Sequence, residues 1–357
     1  MTFFDRLRDH ERYVLTTHVR PDGDAIGSTL ALARVLERLG KTVTVALADA
    51  PPDTLATLPG ADAIQPFDGS VAQREAIARA DAVVVLDANQ RSRLGDVGPA
   101  LATATNAESF LIDHHTMPED WFDQRFVRES ASSAGELVYD IVEAWEADTG
   151  EALIDRDVAT LLYAAIMTDT GSFRYPATTP RVHRIVADLM ERTGFTPTPV
   201  HEAIFDGKRL GALRLLADAL RTITLHAAGR VATMTLSRRM LQASDAHTDE
   251  AEGFVNYALS LRGVDVAILF TETAGGVKIS FRSKGDHPVH EWARAFGGGG
   301  HRNASGAFVK RPLDALVADV VAAAPRFLPG YVSDAVPDVA AVGDDDLLAL
   351  LRQKYTG

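Results

Sequence analysis

The order of apolar segments predicts an α/β fold: an N-terminal parallel sheet with helices on both faces, a helical connector and a smaller C-terminal α+β domain. Three observations carry this expectation. In the first half, short apolar runs of strand character alternate with helical patterns, as parallel sheets require. Near Pro180 the strands stop and helical periodicity takes over. From Thr222 onward, paired strands around glycine turns replace single strands. A length of 357 residues, 46% of them hydrophobic, suits two separate cores.

Taken in order, residues 13–16 read as a buried strand, followed by a helical run over 27–39 that Gly40 closes. Residues 42–47 alternate as a second strand before the turn at Pro51-Pro52. Residues 82–85 and 110–112 form two more apolar strands, leading to Asp87 and Asp113. Ser133-Ala134-Gly135-Glu136 opens an amphipathic helix through Ala147, and Asp155 starts another that runs through the apolar residues 159–167. Helical periodicity spans 180–219, broken at Thr196-Pro197-Thr198-Pro199. Strand pairs follow at 222–225 with 231–235 and at 266–270 with 277–281. Helices are expected over 250–261, near 291–296 and from Leu313. Domain limits fall at 1–180, 181–219 (connector) and 220–328. A tail over 329–357 carries a short amphipathic helix, residues 347–351, capped by Asp344-Asp345-Asp346. Docking of that tail on the body and pairing in a homodimer both remain open.

Cysteine is absent, which removes disulfides and thiolate metal ligands. The N-terminus lacks the apolar core of a signal peptide, and no stretch is apolar enough to span a bilayer. A soluble cytoplasmic protein with no membrane partner is expected. The net charge of −13 argues against coating long nucleic acid, whose binding needs many cationic contacts. A short RNA or small nucleotide remains compatible, provided positive potential is focused in one cleft.

Four acidic or histidine-bearing segments carry the chemistry. In Thr17-His18-Val19-Arg20-Pro21-Asp22-Gly23-Asp24, proline and glycine turn the chain so that His18, Asp22 and Asp24 converge. Taken alone, either aspartate reads as a helix cap. Asp87 ends an apolar strand. Asp113-His114-His115 ends another, and there Asp113 suits an imidazole-orienting role. Asp169, in Thr168-Asp169-Thr170-Gly171, follows an apolar helical run. Carboxylates crowded at one sheet edge repel and resist desolvation unless cations lie among them, so the pattern reads as a two-metal hydrolase site. Mixed carboxylate and imidazole ligands favour Mn²⁺, with Mg²⁺, Co²⁺ or Fe²⁺ as alternatives.

In this order the segments resemble the DHH phosphoesterase superfamily. The run Gly297-Gly298-Gly299-Gly300-His301-Arg302-Asn303-Ala304-Ser305-Gly306 looks like the signature of its associated substrate-binding domain. With Thr170-Gly171-Ser172-Phe173-Arg174-Tyr175 added, the match is nearest to the nanoRNase (NrnA-like) group. The resemblance implies that His18, Asp22 and Asp87 hold one cation, and that Asp24, Asp87, His114 and Asp169 hold the other. His115, with Asp87 and Asp24, would be catalytic, His115 meeting the scissile phosphate or protonating the leaving oxygen. Arg282, Ser283, Gly299, Gly300, His301, Asn303 and Ser305 would bind substrate. The glycine run independently suits backbone N–H groups converging on an anion. The implied function is hydrolysis of short oligoribonucleotides or pApA to 5′-mononucleotides, with 3′-phosphoadenosine 5′-phosphate and cyclic-di-AMP as further substrates. A manganese pyrophosphatase, a single-strand DNA exonuclease and a non-catalytic nucleotide-binding regulator are the alternatives.

Overall fold

A computed structural model describes residues 2–328 and 330, and the chain divides into two units, Met1–Gly207 and Lys208–Gly357. The helix expected at 347–351 lies outside the described residues. None of the described helices is long and apolar enough to cross a membrane.

The first unit is built on β1 (Arg12–Thr16), β2 (Thr42–Val45), β3 (Ala82–Leu86), β4 (Glu108–Asp113) and β5 (Gln124–Val127). Their order is β2-β1-β3-β4-β5, and every pair is parallel. Alternate residues feed opposite faces. Tyr13, Leu15, Val84, Leu86, Phe110 and Ile112 pack in one core, while Val14, Val83, Val85 and Leu111 pack in another. Helices therefore cover both faces, as expected. From β1 the chain moves outward to β2 and then returns to β3 on the other side. The switch point, where ligands lodge in such sheets, lies between the carboxyl ends of β1 and β3. β5 has no counterpart in the sequence reading, because only two of its four residues, Phe126 and Val127, are apolar.

Three helices converge beside that edge. The helix Gly23–Arg38 begins four residues before the apolar pattern does. Asp22 caps it, its side chain accepting from the N–H groups of Asp24 and Ala25. Ser133 and Asp155 cap Ala134–Thr149 and Arg156–Asp169, as their sequences indicate. Gly27 lets the first of these helices lie against the third. A Cβ at that position would sit 2.5 Å from the carbonyl oxygen of Leu161. Gly135 plays the same part for the second helix, since a Cβ there would meet the Ala165 methyl at 2.5 Å.

The helical stretch from Pro180 divides between the units. Pro180–Thr193 belongs to the first, and Leu210–Arg221 to the second. The second unit holds β6 (Thr224–His226), β7 (Val231–Leu236), β8 (Val266–Glu272), β9 (Val277–Ser283), β10 (Gly299–His301) and β11 (Ala304–Val309). The sheet order is β10-β11-β9-β8-β7-β6, antiparallel except for β7 with β8. The single helix expected over 250–261 is instead a 3₁₀ turn, Asp249–Ala251, and a short helix, Val255–Leu259. Gly253 separates them at φ +81°. The glycine run is not an open loop either. Gly299 and Gly300 pair with Gly306 and Ser305 in the ladder of β10 and β11.

Replacing Gly27 with alanine should push two helices apart and cost about 1–3 kcal/mol in urea unfolding. An unchanged unfolding midpoint would show that this contact carries no constraint.

Candidate metal centre

Every strand-borne candidate emerges at the carboxyl edge of the first sheet. His18 follows β1 by two residues, Asp87 follows β3 directly, Asp113 ends β4, and His114 and His115 come next. Asp24 lies in the first turn of the Gly23–Arg38 helix, and Asp169 is the last residue of Arg156–Asp169. Sequence-distant residues thus arrive together because parallel strands all end on one side.

Asp87 is the centre of the arrangement. Its Oδ2 lies 3.4 Å from His18 Nε2, and its Oδ1 lies 3.3 Å from His114 Nε2. Asp22 Oδ1 stands 4.0 Å from His18 Nε2. On the other side, His114 Nε2 is 3.6 Å from Asp24 Oδ2 and 3.5 Å from Asp169 Oδ2. Two donor clusters result, His18/Asp22/Asp87 and Asp24/His114/Asp169. A third, Asp87/Asp113/His115, overlaps the first at Asp87.

Neighbouring groups fix how these side chains point. His18 Nδ1 lies 2.9 Å from the Val19 carbonyl oxygen and His114 Nδ1 lies 3.3 Å from that of Ala131, so each Nε2 turns toward the carboxylates. Asp113 Oδ1 is 2.8 Å from His115 Nδ1. The two oxygens of Asp24 accept from the N–H groups of Ala134 and Gly135, at 2.7 and 2.9 Å. Those are the first two residues of a helix, where unpaired N–H groups and the helix dipole favour negative charge. The carbonyl and N–H partners cannot be read from any local motif. Apart from the Val19 carbonyl, which adjoins His18, they come from the Ala131–Gly135 segment, whose only visible signal is the Ser133 cap.

The electrostatics are those of an anionic nest. Burial, then the charges of Asp87 and Asp169, raise the Asp24 pKa well above its ordinary value. Burial lifts Asp169 to about 7, against the pull of His114. Burial also opposes ionisation of Asp87, but the imidazoles of His114 and His18 beside it outweigh it and hold its carboxyl well below the usual range. Burial works against protonation of His114 and His18 too. The carboxylates around them prevail, raising His114 strongly and His18 less. Asp87 carries a further cost. Its backbone is left-handed, at φ +54°, and its Oδ1 is buried without a hydrogen bond among the described residues. An orphaned, buried carboxylate oxygen between two imidazoles suits a cation, and the oxygen and nitrogen donors suit a divalent one.

In the second unit the candidate residues separate. Adjacent residues in a strand face opposite ways, so Arg282 and Ser283 point to different sides of β9. Ser283 Oγ donates to the His287 carbonyl at 2.6 Å and accepts from Asn303 Nδ2 at 2.8 Å. Ser305 Oγ donates to the His301 carbonyl at 2.7 Å. These three polar side chains brace the glycine hairpin, and Gly299 and Gly300 form its ladder.

Comparison with known proteins agrees with this geometry. Residues 12–166 match the DHH family, N-terminal domain, and residues 229–328 match the DHHA1 domain. The chain is 30% identical over 312 residues to the bifunctional oligoribonuclease and PAP phosphatase NrnA of Thermus thermophilus, covering 83% of each chain. It is 26% identical to the protein of the same name from Bacillus subtilis, over 84% of this chain and 90% of that one. An exopolyphosphatase-related protein from Bacteroides fragilis superposes with a TM-score of 0.84 at 28% identity, over 91% of this chain and 96% of that one.

Without cations, the raised Asp169 destabilises the fold as pH climbs from about 4 toward 7, because the unfolded chain gives up that proton first. Divalent cations must displace the same proton. Calorimetric titration with Mn²⁺ in buffers of different ionisation enthalpy should therefore show more protons released at pH 6 than at pH 8. Buffer-independent heats at both pH values would contradict the cluster as a cation site.

Proposed function

The chain belongs to the DHH phosphoesterase superfamily, in its NrnA-like group, and from that premise we propose that it hydrolyses short oligoribonucleotides and pApA to 5′-mononucleotides. 3′-Phosphoadenosine 5′-phosphate is a second substrate, in keeping with the names of the similar proteins. The observation that carries the reading is Asp87, whose Oδ2 stands 3.4 Å from His18 Nε2 in one donor cluster and whose Oδ1 stands 3.3 Å from His114 Nε2 in the other. His18, Asp22 and Asp87 would hold one cation, and Asp24, Asp87, His114 and Asp169 the other, with Mn²⁺ the preferred ion. When bound, such a pair lowers the pKa of water and neutralises phosphate charge.

The chain's own residues do the rest. Asp113 fixes the ring of His115 through Nδ1, which leaves His115 to contact the scissile phosphate or deliver a proton to the departing ribose oxygen. The backbone N–H groups of Ala134 and Gly135 hold Asp24 in place as a ligand. Residues 1–180 are the catalytic domain and 220–328 the substrate domain, where Arg282 and His301 take the nucleotide. Substrate size is limited by the chain's overall acidity, since little beyond these groups would attract a long polyanion.

Asp87→Ala and His114→Ala should each abolish Mn²⁺-dependent turnover while circular dichroism stays that of the wild type. Wild-type-like rates in either variant would remove the metal assignment. Product analysis over RNA chains of graded length, pApA, inorganic pyrophosphate and single-stranded DNA tests the substrate class. Activity confined to pyrophosphate, or rising with DNA length, would favour the corresponding alternative.

A further inference from the structure

Two members of one donor cluster lean on a single short segment. Ahead of the helix Ala134–Thr149, the Ala131 carbonyl stands 3.3 Å from His114 Nδ1, and the N–H groups of Ala134 and Gly135 bond to Asp24. Among the described residues, the His18/Asp22/Asp87 cluster takes no hydrogen bond from that segment. His18 Nδ1 lies against the Val19 carbonyl, and Asp22 accepts from the N–H groups of its own helix. Whatever fixes the segment therefore acts on one cluster and spares the other.

Glu136 is placed to fix it. Ser133-Ala134-Gly135-Glu136 has the spacing of a capping box, in which the glutamate would turn back to the N–H of Ser133. Ser133 Oγ does accept from the Glu136 N–H, at 3.1 Å. The Glu136 carboxylate, however, reaches one residue further and takes the N–H of Ser132 at 2.8 Å. Along the chain, that bond falls between the Ala131 carbonyl and the Ala134 N–H. Glu136 is 4% exposed, and a charge so deep persists only when paired. Its other oxygen, Oε1, meets Arg128 Nη2 at 3.1 Å and Arg181 Nε at 3.4 Å. Both arginines also pair with Asp140, one turn along the same helix. Arg128 directly follows β5, and its own N–H bonds to the Asp113 carbonyl at 3.1 Å. The glutamate thus ties the segment to the sheet edge on one side and to the Pro180–Thr193 helix on the other. Stability alone does not explain this, because a buried ion pair is often no better than apolar packing.

We propose that Glu136 is the positioning residue of one cation site, setting the Ala131–Gly135 segment so that His114 and Asp24 point at the ion, while the His18/Asp22/Asp87 site is independent of it. This rests on the metal-pair reading above and deepens it. The two sites are consequently unequal: one is held by bonds local to its own ligands, the other by a carboxylate that touches neither ligand.

The test is a Mn²⁺ titration of the full-length protein without substrate, followed by electron paramagnetic resonance, which counts bound ions and reports spin coupling between them. The wild type should bind two coupled ions. Glu136→Ala should hold one ion about as tightly as the wild type and the other roughly 10–100-fold more weakly, leaving an uncoupled signal at low Mn²⁺. Glu136→Gln keeps an acceptor for the Ser132 N–H, so its loss should be about threefold and fall on the same ion. A purely structural role would weaken both ions alike. Adding Asp22→Ala, which strikes the other cluster, to Glu136→Ala should leave neither ion tightly held. Equal weakening of both ions, no weakening of either, or a double variant that still holds one ion tightly would overturn the proposal. Should Glu136→Ala not fold, the first two of these outcomes decide it in Glu136→Gln. Two coupled ions in a protein that hydrolyses no nucleotide would instead sink the phosphodiesterase reading and leave the role of Glu136 standing.

Discussion

Crowding of negative charge at the edge of one sheet is the constraint that organises the first unit. Asp22, Asp24, Asp87, Asp113 and Asp169 meet around three histidines, His18, His114 and His115, in a region where Asp24, Asp87 and Asp113 are almost wholly buried. Nothing in apolar packing would assemble such a group, because each buried carboxylate costs free energy unless compensated. Compensation inside the protein is partial. Helix N–H groups serve Asp24, imidazoles serve Asp87 and Asp113, and Asp169 sits at the C-terminal end of its helix, where the dipole opposes its charge. The remaining debt defines what the protein has to bind.

The scaffold bears this load through close helix contacts rather than through ion pairs. Gly27 brings its helix against the Leu161 carbonyl and Gly135 brings its helix against the Ala165 methyl, so the carboxylates of Asp24 and Asp169 stand within reach of the same imidazole nitrogen. Bulkier residues would have placed the same ligands on the same elements and left them too far apart. Sheet topology supplies the other half, since the switch between β1 and β3 opens the crevice where His18 and Asp87 face one another. Fold and site are thus two consequences of one packing arrangement.

Much of this was legible in the chain itself. The alternation of strands and helices gave the parallel sheet, and the caps at Ser133 and Asp155 gave two helices their starting points. The four acidic segments were visible because each ends an apolar run. What stayed hidden involves partners distant in sequence. The grip of Ala134 and Gly135 on Asp24 spans more than a hundred residues, and no periodicity reports it. β5 escapes notice because an edge strand needs few apolar side chains, and the expected 250–261 helix is too long because Gly253 breaks it with a left-handed backbone. In the second unit, reading Arg282 and Ser283 as one motif concealed that a strand sends them to opposite sides. The glycine run showed the same bias. It signalled room for an anion, yet its first use is to let one strand lie flush on another, since a Cβ at Gly298 would fall 2.0 Å from the Gly306 carbonyl oxygen.

The left-handed backbone at Asp87 narrows what this position can become during sequence drift. Aspartate, asparagine and glycine are the residues that tolerate such a conformation, and of these only aspartate also brings a charge. Glutamate would keep the charge and strain the chain, while asparagine would relax the chain and surrender the charge. No single replacement satisfies both demands, so a lineage that loses this residue has no near neighbour through which to recover the centre by degrees.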